Sequence, residues 1–242
     1  MTVAPIDPLP RAVLFDLDDT LCDYASARKE RLRLAFTLGP DGGFRSRKGI
    51  DLEAMIAESI ATQPHGADHF PALFARYGIA DSEQARAAAD WYRRNKFHGL
   101  DFFPEARDVL ASVRTLLAAT PGASTRPLGV VTNGPADVQR AKIELLGVGD
   151  LVDFAIISGE FGVAKPDPAI FRAALDRAGV KPEEAVFVGD SVEFDMTGAR
   201  AAGIPSVWLN RHGRTWSEAG WEPTCEIRTL DEVPSLLGAG RG

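Results

Sequence analysis

The stretch RAVLFDLDDT, residues 11–20, is the part of the sequence that says most about the fold. Its apolar part, AVLF, passes directly into Asp16, and Asp18 and Asp19 follow closely. A short, continuous apolar run is typical of a strand that is buried on both faces of a parallel sheet. The stretch therefore predicts a buried first strand whose carboxyl end carries acidic side chains.

Strands and helices alternate in the sequence from about residue 101 onward. Short apolar runs predict further strands at residues 128–132, 153–158, 185–190, 206–210 and 225–229. Helical segments are predicted at residues 104–117, 135–146, 168–178 and 193–202. Repeated strand and helix units form a mostly parallel sheet with helices on both faces. We therefore predict an α/β fold with a Rossmann-like, doubly wound parallel sheet.

A mostly helical block separates the first strand from these units. Leu52, Met55, Ile56 and Ile60 share one helical face, and no convincing strand interrupts the block. Because it follows the first strand, we expect an α-helical domain inserted into the core. The predicted domains are a core of residues 11–21 and 101–242, an inserted helical domain of residues 22–100 and a flexible lead-in of residues 1–10.

The composition is that of a soluble globular protein, with 242 residues, 45% hydrophobic residues, 25% charged residues and a net charge of −7. The surplus of acidic residues argues against a nucleic-acid partner, because binding phosphates requires positive surface. No apolar run reaches the ~20 residues of a membrane span, and the start, MTVAPIDPLP, does not resemble a secretory signal. Cys22 and Cys225 form no disulfide framework, which favours a reduced, cytoplasmic setting.

Chemically useful side chains follow the first four predicted strands. They are, in chain order, Asp16, Asp18, Thr132, Asn133, Lys165, Asp190 and Asp195. Ligands of open parallel sheets bind beyond the carboxyl ends of the strands. We therefore expect these side chains to form one site at that edge of the sheet.

These residue types indicate phosphoryl transfer at a magnesium ion. Neighbouring carboxylates repel each other unless a divalent cation offsets their charge, and Mg²⁺ prefers oxygen ligands such as Asp16 and Asp190. Asp16 is the candidate nucleophile, and Asp18 can protonate the leaving oxygen and then activate water. The remaining groups would bind the phosphate oxygens and offset their charge: Thr132, Asn133 and Lys165.

Each of these motifs also has a purely structural interpretation. Asp18 and Asp19 can cap a helix or a turn, and Thr-Asn-Gly at residues 132–134 is a common turn sequence. A Lys-Pro pair carries little information, and Gly-Asp is frequent at strand ends. The conjunction of four motifs in order, each after a successive strand, favours an active site.

The four motifs resemble the signature motifs of the haloacid dehalogenase (HAD) superfamily. The resemblance covers about residues 11–210 and rests on Asp16-Leu17-Asp18-Asp19-Thr20, Thr132, Lys165 and Gly189-Asp190-Ser191 with Asp195. It implies a Rossmann-like core with an inserted helical C1-type cap that governs substrate choice, a magnesium cofactor and an aspartyl-phosphate intermediate. The strings at residues 131–134, 164–168 and 208–211 look most like those of pyrimidine-5′-nucleotidase and N-acylneuraminate-9-phosphatase-type members.

The resemblance also implies a role for each matched residue. Asp16 corresponds to the nucleophile and a metal ligand, and Asp18 to the acid/base residue whose main-chain carbonyl also meets the metal. Asp190 corresponds to the second metal carboxylate. We expect Asp195 behind these ligands, orienting metal-bound water or Lys165.

Asp18 favours phosphate over halide chemistry, because dehalogenases proper lack an acid at this position and a halide needs no proton to leave. We predict a magnesium-dependent phosphomonoester hydrolase, monomeric or homodimeric, that acts on a small nucleotide or sugar phosphate without a nucleic-acid or membrane partner. The alternatives are a phosphomutase, a 2-haloacid dehalogenase and a non-enzymatic phospho-receiver module. Receivers are about half this length and have no helical insertion after the first strand.

Overall fold

The computed structural model describes residues 6–37, 51–62, 69–79, 82–119, 126–218 and 220–238. Two compact units divide the chain: the first comprises Met1–Asp23 with Phe102–Gly242, and the second comprises Tyr24–Asp101. The second unit is therefore an insertion into the first. Half of the predicted lead-in, residues 1–5, lies outside the described residues.

A six-stranded, fully parallel sheet forms the centre of the first unit. Its strands are β1 (Ala12–Phe15), β2 (Leu128–Thr132), β3 (Phe154–Ile157), β4 (Ala185–Gly189), β5 (Ser206–Leu209) and β6 (Cys225–Ile227). The strand order is β3-β2-β1-β4-β5-β6, so the first strand lies at the centre. The order reverses between β1 and β4, which is where doubly wound sheets bind their ligands. The predicted α/β fold is confirmed.

The described residues of the second unit lie mainly in α-helices joined by turns, and these helices bury a core of their own. They are α1 (Tyr24–Thr37), α2 (Leu52–Ala61), α3 (His69–Arg76) and α4 (Ser82–Arg94). Phe36 of α1 lies at the centre of this core, with ring centroids 5.5 Å from Phe70 and 5.6 Å from Phe74, both of α3. Edge-to-face pairs of this kind add to the free energy gained by burying apolar surface.

Further helices connect and cover the strands of the first unit. They are α5 (Ala106–Ala118), α6 (Ala136–Leu146), α7 (Ser158–Phe161), α8 (Pro168–Ala178), α9 (Thr197–Ala201) and α10 (Val233–Leu236). Single 3₁₀ turns lie at Val148–Asp150, Pro182–Glu184 and Leu230–Glu232. Gly179 ends α8 with φ 67°, a left-handed conformation that glycine adopts without strain. Within the described ranges, no helix is long and apolar enough to cross a membrane.

The apolar side chains of the sheet and of α8 pack into one continuous core. Phe171 of α8 and Phe187 of β4 are fully buried, and their ring centroids lie 5.0 Å apart. Leu14 and Trp208, also fully buried, belong to the same cluster. Burial of each such side chain stabilises the fold by about 1.5–3 kcal/mol. This packing explains why the strands are uninterrupted apolar runs in the sequence, and it gives the edge of the sheet a rigid base.

The predicted helix at residues 193–202 differs from the structure in its first half. The chain forms a π-helical turn at Val192–Met196 before α9 begins. The carbonyl oxygen of Ser191 accepts from the N–H groups of both Asp195 and Met196 at 3.0 Å, and the Ser191 hydroxyl accepts from the N–H of Phe194 at 3.1 Å. The Asp195 side chain of this turn lies close to Gly189, and turns of this kind are frequent at functional sites.

Candidate active site

A cavity of about 220 Å³ lies in the first unit, beyond the carboxyl ends of β1, β2 and β4. Its walls are formed by Asp16, Asp18, Asp19, Thr132, Asn133, Lys165, Asp190, Ser191, Phe194 and Asp195. All seven residues that the sequence predicts for the site are among them. The other three, Asp19, Ser191 and Phe194, had no predicted role in the site. The fold thus brings four separate segments of the chain to one place.

The turn after β1 places Asp16 at this cavity. The N–H of Asp16 donates to the carbonyl oxygen of Val188 at 2.9 Å, so the pairing of β1 with β4 continues past Phe15. Asp19 then adopts a left-handed φ of 61°, which Asp tolerates because its short polar side chain can bond locally. The chain reverses here, and the Thr20 hydroxyl donates back to Oδ2 of Asp16 at 3.4 Å. Main chain and side chain together therefore fix Asp16.

Three carboxylates, of Asp16, Asp190 and Asp195, each offer an oxygen within 4.8 Å of the others. Asp190 follows directly on the last residue of β4, and the π-helical turn returns Asp195 to the same strand end. A Cβ atom on Gly189 would lie 2.5 Å from a carboxylate oxygen of Asp195. Only glycine leaves room for this approach, so Gly189 is part of what builds the carboxylate group.

Lys165 brings a positive charge into this group. Its Nζ donates to Oδ1 of Asp16 at 2.5 Å and to Oδ1 of Asp195 at 2.7 Å. Asn133 holds the lysine main chain: the N–H of Lys165 donates to Asn133 Oδ1 at 2.8 Å, and Asn133 Nδ2 donates to the carbonyl oxygen of Lys165 at 2.9 Å. These contacts position Lys165 and leave only the second Nδ2 hydrogen of Asn133 for a phosphate oxygen.

Burial and the close approach of charged groups shift the pKa values of three side chains in the site. Burial raises the pKa of Asp16 well above its usual value; Lys165 opposes this shift, and Asp195 and Asp190 add to it. Burial, together with the charges of Asp195 and Asp19, raises the pKa of Asp190 to about 7. Burial by itself lowers the pKa of Lys165, but the two carboxylates outweigh it and raise that pKa overall. Lys165 therefore stays protonated, whereas Asp16 and Asp190 are charged only at a free-energy cost.

The donor set fits a divalent cation. Lys165 offsets part of the charge of the three carboxylates, and the half-exposed Arg214 lies 3.9 Å from Oδ2 of Asp190. Negative charge remains in excess, and a bound cation would favour the ionised carboxyl groups. Both oxygens of Asp195 already accept hydrogen bonds, from Lys165 Nζ and from a main-chain N–H. Asp16 differs from Asp195, because among the described residues its Oδ2 accepts only the long 3.4 Å bond from Thr20. Asp16 and Asp190 are therefore the carboxylates best suited as direct ligands.

The carboxylate of Asp18 contacts α6 and does not belong to the group formed by Asp16, Asp190 and Asp195. Lys142 Nζ donates to Oδ1 at 2.8 Å and to Oδ2 at 2.7 Å. Gln139 Nε2 lies 3.2 Å from Oδ2 of Asp18 and 2.5 Å from the hydroxyl oxygen of Thr132. One turn of α6 thus links the predicted acid/base residue to a predicted phosphate ligand.

Gln139 and Lys142 were not among the site residues predicted from the sequence. A signal was present, because both lie in phase with the apolar residues Ile143 and Leu146, and all four form the buried face of α6. A glutamine and a lysine on the apolar face of a helix need buried partners. The position of α6 directly after Thr132 indicates that these partners lie at the sheet edge.

The family model for haloacid dehalogenase-like hydrolases matches residues 10–203. The match spans most of the chain and includes all four motifs around the cavity. The chain therefore belongs to the haloacid dehalogenase-like hydrolase family, and the resemblance predicted from its motifs is confirmed.

Curated relatives and solved structures match the chain over nearly its full length. It is 40% identical to the pyrimidine 5′-nucleotidase YjjG of Escherichia coli, with 93% of this chain and 96% of that protein covered. It is 34% identical to the glyceraldehyde 3-phosphate phosphatase of Methanopyrus kandleri, with 93% and 91% covered. The magnesium-bound HAD-hydrolase YfnB of Bacillus subtilis matches with a TM-score of 0.71 and 24% identity, with 95% and 99% of the two chains covered, which shows a shared fold.

Proposed function

We propose that the protein is a magnesium-dependent phosphomonoester hydrolase that acts through an aspartyl-phosphate on Asp16. One observation carries the proposal. The buried Lys165 lies between Asp16 and Asp195, in a cavity that is also lined by Thr132, with its hydroxyl, and by the acid Asp18. Family membership and two phosphomonoester hydrolases among the relatives support it. All described residues that line the cavity lie outside residues 22–100, so we propose residues 11–21 and 101–242 as the catalytic core and residues 22–100 as the cap.

In the first half of the reaction, an oxygen of Asp16 attacks phosphorus. A bond forms between Asp16 and phosphorus, and the bond from phosphorus to the leaving oxygen breaks. Asp18 gives its proton to that oxygen, so the product leaves as a neutral alcohol. Lys165 holds Asp16 in place, and Lys165 and Thr132 bind the non-bridging phosphate oxygens, whose charge increases in the transition state.

In the second half, water hydrolyses the phosphorylated Asp16. Asp18, now a carboxylate, takes a proton from the water as its oxygen attacks phosphorus. The bond between phosphorus and Asp16 breaks, inorganic phosphate leaves and both aspartates return to their starting states. Mg²⁺, when held by Asp16, Asp190 and the main-chain carbonyl of Asp18, would offset the charge of the phosphoryl group.

Magnesium affinity is expected to depend steeply on pH near neutrality. Because burial raises the pKa of Asp190 to about 7, this carboxyl group holds a proton below that pH, and the proton must leave before the metal binds. The apparent affinity for Mg²⁺ should be about tenfold lower at pH 6 than at pH 8. Calorimetric titration at about pH 6 and about pH 8 measures the difference, with Asp190→Asn expected to lose binding at both. Equal affinity at the two pH values would contradict this explanation.

The proposed substrate class is a small phosphorylated metabolite. The cavity of about 220 Å³ has room for a phosphoryl group and a small part of its ester. The named relatives act on a pyrimidine nucleotide and on a triose phosphate. We therefore propose nucleotides and sugar phosphates as the first compounds to test.

The proposal is tested by measuring phosphate release from nucleoside monophosphates, sugar phosphates, phosphoserine and a chromogenic aryl phosphate, with Mg²⁺ and with a chelator. We expect release from at least one compound, which stops when the metal is removed and returns when Mg²⁺ is restored. Absence of release from every compound, with bound Mg²⁺ shown by calorimetry, would contradict the proposal. Transfer of the phosphoryl group to a second position of the same substrate, without free phosphate, would instead identify a phosphomutase.

A further inference from the structure

We propose that Lys142 is a positioning residue that orients the carboxylate of Asp18 for proton transfer to the leaving group. The proposal rests on the proposed function, in which Asp18 is the acid/base residue. Lys142 does not line the cavity, so it acts through Asp18 and needs no contact with the substrate.

The geometry of the pair restricts the acid. Lys142 Nζ lies 2.8 Å from Oδ1 and 2.7 Å from Oδ2 of Asp18, so both oxygens meet the same ammonium group. Two contacts of this kind restrict rotation of the carboxylate about its last side-chain bond more than one contact would. The side chain of Lys142 is 4% exposed and that of Asp18 is 22% exposed. The cation therefore lies on the protein side of the pair, and the carboxylate lies on the cavity side.

The helix that carries Lys142 is firmly anchored. Ile143 and Leu146 of α6 are buried in the first unit, and Arg107 Nη2 donates to the carbonyl oxygen of Leu146 at 2.7 Å. Gln139, one turn before Lys142, contacts Asp18 and also donates to Thr132. The same rigid element thus sets the position of the acid relative to a phosphate ligand, as precise proton transfer requires.

Proton donation matters most for esters whose leaving group is a strong base. An alkoxide needs a proton as its bond to phosphorus breaks, whereas a dinitrophenolate leaves readily without one. If Lys142 orients Asp18, removing it should slow the hydrolysis of alkyl phosphates and leave dinitrophenyl phosphate almost unaffected. A lysine that only supports the fold would change the rates for both esters alike.

The test compares kcat/KM for the preferred alkyl phosphate and for dinitrophenyl phosphate in Lys142→Met and in the native protein. We expect a loss of about a hundredfold with the alkyl phosphate and less than about threefold with the aryl phosphate. Asp18→Asn sets the upper limit of this selectivity. Arg140→Met is the matched control, since Arg140 lies on the same helix, is exposed and pairs with Glu160, and it should change neither rate. Inhibition by inorganic phosphate should be unchanged in Lys142→Met, because the phosphate ligands remain in place.

Each outcome supports or overturns the proposal. An equal loss with both esters, or no loss with either, overturns it while the proposed function stands. If the native protein hydrolyses neither ester, or if Asp18→Asn shows no selectivity, the proposed function fails first and this inference fails with it. If Lys142→Met does not fold, Lys142→Gln keeps a single hydrogen bond to Asp18 and is expected to lose about tenfold with the alkyl phosphate alone. Equal rates for Lys142→Gln and the native protein would overturn the proposal.

Discussion

Asp16→Asn is expected to lower kcat/KM for phosphate release by at least about a thousandfold. The amide has nearly the shape of the carboxylate but is not a nucleophile for phosphorus, so the covalent step is lost. The substitution also removes one of the two carboxylates best suited to bind the metal. The variant should fold, because Lys165 keeps its contact with Asp195 at 2.7 Å and a neutral side chain is less costly to bury than Asp16.

The value of kcat/KM is measured with the ester that the native protein hydrolyses most efficiently among the tested compounds. Asp176→Asn is the matched control, because Asp176 is an exposed aspartate of the same unit, on α8, and its variant should retain the full rate. A residual rate of Asp16→Asn within about tenfold of the native protein would show that Asp16 is not the nucleophile.

Lys165→Met is expected to lower the free energy of unfolding by about 3 kcal/mol and to remove most of the activity. Lys165 is buried, with Nζ at 2.5 Å and 2.7 Å from the carboxylates of Asp16 and Asp195. Methionine fills a similar volume but leaves both carboxylates buried without their cation. Breaking a buried pair on one side costs far more than breaking an exposed pair, because the remaining charge stays desolvated.

The destabilisation by Lys165→Met should increase with pH. Lys165 opposes the effect of burial on the pKa of Asp16, so its removal raises that pKa further. A carboxyl group whose pKa is raised in the folded state contributes stability at low pH and loses it as the pH rises through that pKa. The deficit should therefore be smaller in mildly acidic solution than at neutral pH.

Urea unfolding at several pH values, in the absence of metal, measures this deficit. Arg140→Met again serves as the control, because it breaks the exposed Arg140–Glu160 pair and should cost less than about 1 kcal/mol. Equal unfolding free energies for the two variants would contradict the view that Lys165 offsets buried charge.

The strands and the motifs after them could be predicted from the sequence for one physical reason. Strands β1, β2, β4 and β5 are buried along their whole length, so each is a short apolar run that ends abruptly at a polar residue. Parallel topology then brings those polar residues to one edge. Asp16 and Asp190 could be placed in this way without knowledge of their contacts, and the structure places both at the cavity.

The contacts of Lys142 and the π-helical turn could not be predicted in this way. Lys142 and Asp18 are 124 positions apart in the sequence, and a lysine on a helix usually faces solvent. Asp195 of the π-helical turn at Val192–Met196 contacts Lys165, which is 30 positions away in the sequence. No local pattern encodes this contact. The two hydrogen bonds between the Asn133 side chain and the main chain of Lys165 also depend on the folded loop. Local patterns predict elements and their ends, whereas these pairings depend on tertiary structure.

Trapping the phosphoryl group on the protein tests most directly whether Asp16 is the nucleophile. Asp18→Asn should slow hydrolysis of the intermediate, so mixing it with Mg²⁺ and dinitrophenyl phosphate, followed by borohydride, would reduce an acyl phosphate to an alcohol. Peptide mass spectrometry then locates the reduced side chain. We expect reduction at residue 16 and none when Asp16→Asn is combined with Asp18→Asn. Substrate turnover without reduction at residue 16, or with reduction at another aspartate, would contradict this role of Asp16.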